Sequence, residues 1–74
     1  MGKLVELNSQ GDTTTLWDPA DDVSLHETDV KFKELMERGF SMVERTADEE
    51  TFHRADHFDP RAEEIVAIFP MTGG

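Results

Sequence analysis

Apolar residues along this 74-residue chain gather into separated clusters, and the spacing within each cluster predicts an element. Residues 3–7, KLVEL, are short and rich in strand formers, and NSQGD after them is built from turn residues. Residues 13–17, TTTLW, bring three β-branched threonines in a row. Together they predict an N-terminal β-hairpin with its loop around Gly11. Pro19 ends that second strand. Ser24 and Glu27 then stand at capping-box spacing, which predicts a helix beginning near Leu25. Leu25, Phe32, Leu35 and Met36 share one face at the 3.6-residue period, while Glu27, Lys31, Lys33, Glu34 and Glu37 are free to meet water. Gly39 supplies the left-handed residue that closes a helix, and Phe40 can pack back on the last turn.

Residues 40–45, FSMVER, predict a third strand, with TADEE as the turn after it. Residues 51–58, TFHRADHF, alternate imperfectly and are polar, so they predict a fourth strand at a sheet edge. DPRAEE at 59–64 begins with an Asp cap and a proline at the first helical position, the pattern of a single helical turn. IVAIF at 65–69 is apolar on both faces, which predicts a central strand with cover on at least part of each side. The class is α+β, with element order ββαββ, short helix, β: a mixed sheet of four to five strands covered by one main helix. The first and last strands, the two with unbroken apolar character, are expected side by side in its middle.

Length narrows this further. A chain of this size buries only about 60% of the surface its unfolded form exposes, so one small core is expected and a strained catalytic constellation is not. No cysteine is present, which removes a disulfide framework, a thiolate zinc site and a cysteine nucleophile. The start, MGKLVELN, has no long apolar run, so neither a signal peptide nor a membrane span is expected. Glu6 stands where a myristoylation signal takes Ser or Thr. A cytoplasmic protein is the expectation, and a monomer.

Seventeen acidic residues against seven basic ones give a formal charge of −10, a field that repels a phosphate backbone and argues against nucleic acid as a partner. The same charge suits a basic protein surface, with Asp18, Asp21, Asp22 and Glu27 as the candidate contacts. Solubility alone also accounts for it.

Few residues carry a metal or catalytic pattern. His53 and His57 stand four apart, a metal-ligand spacing on a helix, but in a strand they lie about 13 Å apart at roughly 3.3 Å per residue, too far to share an ion. His26 falls in the first helical turn as a surface residue, and the acids Asp21, Asp22, Glu27 and Asp29 lack the glycine and spacing of a calcium loop. No motif frames a Ser, His and Asp as a nucleophile. Trp17 is a candidate anchor, with a partly buried place at a sheet edge as the plainer reading. No catalytic residue and no metal site are therefore assigned.

The chain's end is more distinctive. Pro70 has no amide hydrogen, so strand pairing should weaken there and MTGG, residues 71–74, should project as a flexible tail from a domain of residues 1–70. Gly73 and Gly74 can enter a slot too narrow for any β-carbon.

EEIVAIFPMTGG, closing a chain with this element order, resembles the ubiquitin-like β-grasp proteins, in particular the small subunit of molybdopterin synthase and the thiazole sulfur carrier. The resemblance implies a carrier or modifier that is not itself an enzyme and binds no cofactor. An adenylating enzyme of the ubiquitin-activating type would use ATP to charge the Gly74 carboxylate, with Gly73, Thr72 and Met71 threading its active site. The activated end would then pass to a sulfur-acceptor enzyme as a thiocarboxylate, or to target lysines as an isopeptide. Two other readings stand beside it: an acidic binding module with an inert tail, and a small enzyme or metal protein using His53 and His57.

Overall fold

The computed structural model describes residues 1–8 and 11–70. Its elements are β1 (Gly2–Asn8), β2 (Gly11–Trp17), α1 (Asp22–Glu37), β3 (Ser41–Arg45), β4 (His53–Arg54) and β5 (Glu64–Ile68). They form a five-stranded sheet in the order β2-β1-β5-β3-β4. β1 and β5 run parallel in register Leu4↔Ile65 and Glu6↔Ala67, and the other neighbouring pairs are antiparallel. One helix against a mixed sheet whose first and last strands are parallel neighbours is a β-grasp-like α+β fold; the apolar pattern predicts those two strands side by side, and the β-grasp arrangement is what the resemblance implies.

Period-2 alternation decides which side of each strand meets the helix. Leu4, Met42, Ile65 and Ala67 point inward with Trp17, and Phe32 and Leu35 of α1 close over them. Phe40, Ala55 and Ala62 complete the buried cluster, with Leu25 and Phe58 packed on its margin. Trp17 is only 1% exposed, so it is a core residue and neither an exposed anchor nor a half-buried edge residue. Its Nε1–H donates to the Pro60 carbonyl at 3.1 Å and its ring meets Phe58 edge-on at 5.0 Å.

The helix starts earlier than the capping-box spacing predicts. Asp21, extended at φ −113° and ψ 104°, is the N-cap, and its carboxylate accepts from Val23 N–H at 3.1 Å. Ser24 already lies inside the first turn; its hydroxyl accepts from Asp18 N–H at 3.0 Å and sits 3.0 Å from the Asp21 carbonyl. Glu27 is an exposed helix residue with no capping role. At the other end the predicted closure holds. Gly39 adopts φ +90°, Phe40 N–H donates back to the Leu35 carbonyl at 3.0 Å, and the Phe40 ring is buried.

Four other expectations are corrected. Met36 is exposed, and Thr28 takes a core place instead, its buried hydroxyl satisfied by donating to the Ser24 carbonyl at 2.8 Å. The fourth strand shrinks to His53–Arg54: Ala55 N–H still donates to the Met42 carbonyl at 2.9 Å, but Ala55 is buried in the core and Phe58 packs against it, so the chain leaves the sheet there. Residues 59–62 make a single turn, Ala62 N–H to the Asp59 carbonyl at 3.0 Å, and no helix follows. β5 is central but covered on one face only: Ile65 and Ala67 are buried, whereas Ile68 is 42% exposed.

Candidate functional site

Three features of this fold could engage a partner: the exit of the last strand, the uncovered sheet face, and the acidic helix start. β5 delivers the chain to Phe69 and Pro70 beside the C-terminal end of α1. There the Phe69 ring stands edge-on to Phe40 at 5.5 Å and 86°. The Pro70 ring lies over Gly39, where a β-carbon would come into ordinary contact with Pro70 Cγ at 3.7 Å. The Arg38 guanidinium covers the Phe40 ring at 5.4 Å. The final strand is thus held up to Pro70 by aromatic packing against the helix cap. Met71, Thr72, Gly73 and Gly74, assigned above as the threading and activated residues, lie outside the described residues.

Because the helix covers one face, the alternate residues form an open surface. Val5, Val66 and Val43 lie across the middle of the sheet in register, with Leu7 beside Ile68 in the next row. Leu16, on β2, is 59% exposed on the same face. The row on the other side of the valines is charged. Glu64 meets Lys3 at 4.0 Å and Arg45 at 3.6 Å, and Arg45 also stacks over Phe52 at 5.6 Å. The expectation of cover on at least part of each side of β5 hid this face. The signal was available in Val5 and Leu7, and in Val43, which alternate with the buried set.

The structure brings Asp18, Asp21 and Asp22 together at the helix start, while Glu27 lies further along α1. Asp18 accepts from Ala20 N–H at 2.9 Å and Asp21 caps the helix, so two of the acids have local structural work. Asp22 and Glu27 are exposed and make no ion pair among the described residues.

A second group of titratable side chains was not anticipated. Glu44 faces the helix side of β3, 8% exposed, with one carboxylate oxygen buried and lacking a hydrogen-bond partner among the described residues. Burial, and then repulsion from Asp59 and Glu49, raise its pKa against the opposing pull of His53. His53 sits directly across from Glu44 in the β3–β4 pair and meets Glu49 at 3.3 Å. Loss of solvent lowers the His53 pKa, but the Arg54 carbonyl and Glu49 outweigh it and the net direction is up. Glu49 moves down, held by the backbone and hydroxyl of Thr46. His57 lies beyond β4, and no group of three or more His, Asp or Glu among the described residues is arranged to hold a metal ion.

No family model, curated protein or solved structure matches this chain. No helix among the described residues is long and apolar enough to cross a membrane.

Proposed function

We propose that this chain is a ubiquitin-like carrier or modifier whose C-terminal Gly74 carboxylate is activated by a partner adenylating enzyme. In that chemistry the carboxylate attacks the α-phosphorus of ATP and releases pyrophosphate, leaving an acyl adenylate. A sulfur nucleophile or a lysine amine then displaces AMP, giving a thiocarboxylate carrier or an isopeptide conjugate. One observation carries the reading: the last strand is central, parallel to the first, and held by Phe40 and Gly39 up to Pro70, four residues before the diglycine end. A rigid anchor beside a short stretch ending in two β-carbon-free residues suits delivery of a terminus into a narrow slot. The apolar open face, with Ile68 next to the exit, offers the activating partner a footing, and the formal charge of −10 favours a basic one.

The test is intact-mass spectrometry of protein isolated from its own host, together with a digest searched for diglycine-branched lysines. A sulfur-for-oxygen exchange at Gly74 or branched lysines is expected, and deletion of Gly74 should abolish both without moving the thermal midpoint. An unmodified carboxylate in the host, unchanged by ATP with the host's adenylating enzymes, would overturn the proposal.

A further inference from the structure

The two edges of the sheet are built differently. β4 is two residues long and carries Arg54, whereas β2 runs for seven residues, Gly11–Trp17, paired without a break from Asn8↔Gly11 to Gly2↔Trp17. Natural edge strands are blunted by lysine, proline, bulges or brevity, because a row of unpaired amides recruits any extended chain. β2 has none of these devices.

Its backbone direction follows from the register. Lys3 N–H donates to the Glu63 carbonyl, so the odd residues of β1 pair toward β5 and the even ones toward β2. The cross-strand partners of the even residues are Gly11, Thr13, Thr15 and Trp17. The N–H and C=O groups of Asp12, Thr14 and Leu16 therefore point away from the sheet, and no hydrogen bond from another described residue reaches them. We propose that this edge is a binding site for an extended, basic segment of a partner protein, which adds as a sixth strand beside β2.

Charge selects the occupant. The one charged residue in β2 is Asp12, exposed and without an ion pair among the described residues, and Asp18, Asp21 and Asp22 follow after its far end. An added strand thus runs between two acidic ends, with the exposed Leu16 giving its apolar side chains a contact on the open face. A second copy of this chain would bring another formal charge of −10 to the same edge, which disfavours self-pairing. Main-chain hydrogen bonds supply the affinity in this mode, and alternate side chains supply the selectivity. The inference does not depend on the tail, since it uses neither Gly73 nor Gly74.

The probe is a capped decapeptide alternating lysine with valine, titrated into the full chain and followed by amide shifts and hydrogen exchange. Asp12, Thr14 and Leu16 amides should gain protection while their neighbours in β2, already bonded to β1, change little. T14P removes an outward N–H but no bond to β1, a placement that an edge strand tolerates, and should weaken binding by about tenfold or more. If T14P does not fold, N-methylation of alternate peptide residues removes the matching donors and should weaken binding by about as much. Equal affinity for T14P or for the N-methylated peptide would overturn the proposal. So would equal binding of a glutamate-for-lysine peptide, shifts centred on Val66 and Ile68, or protection of the same amides by self-association alone.

Discussion

Replacing Gly2 with alanine gives a stringent test of how the core is assembled. Gly2 is paired across the hairpin with Trp17, whose indole lies over it so closely that a β-carbon would fall inside the envelope of Cε2 and Cζ2. The ring cannot retreat freely, because its Nε1–H is committed to Pro60 and it packs perpendicular to the Phe58 ring. Overpacking of this kind costs about 1–3 kcal/mol, while the stiffer unfolded chain returns about 0.4–1 kcal/mol. The net loss should be about 1–2 kcal/mol. At a total stability of roughly 0.05–0.15 kcal/mol per residue that is a large fraction, and it lowers the midpoint by about 4–8 °C for each kcal/mol. Urea unfolding followed by far-ultraviolet circular dichroism, a signal that both backgrounds retain when Trp17, the sole tryptophan, is replaced, measures it directly. The penalty should shrink in a W17L background, where the atoms in the way are gone. An alanine variant as stable as the wild type, or an equal penalty in both backgrounds, would refute this account of the packing.

Two further outcomes follow from the strap between β3 and β5. Glu44 has a raised pKa, so the stability it contributes is complete below its ordinary value of 4.5 and is lost as pH rises through the folded value; His53, also raised, behaves likewise above its ordinary 6.5. Glu49, lowered, contributes above 4.5 and loses its part as pH falls through its folded value. Urea midpoints should therefore peak in mild acid and decline toward neutrality, and E44Q should flatten the decline; an E44Q profile as steep as wild type contradicts the assignment. F58A removes the ring that meets both Trp17 and Phe32, and because Phe58 is only half-buried the loss should fall near the lower end of about 3–5 kcal/mol. A thermal midpoint within a degree of wild type would show that the strap is not part of the core.

The candidate site was only partly legible in the sequence. The exit at Pro70 could be read from a residue that lacks an amide hydrogen, yet nothing in the sequence said that Phe69 would stand against Phe40 or Pro70 over Gly39. The acids at 18, 21 and 22 were visible as a run, but not that Asp18 and Asp21 would be occupied in turning the chain and capping the helix. Glu44 gave no warning at all. Its burial depends on β4 and Asp59 approaching from residues far along the chain, and on a strap that one-dimensional spacing does not describe.

Local chemistry wrote the parts that depend on neighbours a few residues apart. The hairpin, the body of the helix and its Gly39 closure follow from turn residues, 3.6-residue periodicity and a position that needs positive φ, and all of these act within one or two turns of chain. Pairing β1 with β5 also came from sequence, because two apolar strands in a chain this small have only the middle of the sheet to occupy. Tertiary structure decided what distance along the chain conceals: which face of β5 stays open, which edge of the sheet is long, and which residue lies beneath Trp17. Those outcomes rest on how many covering elements exist, and a single helix can cover only one side.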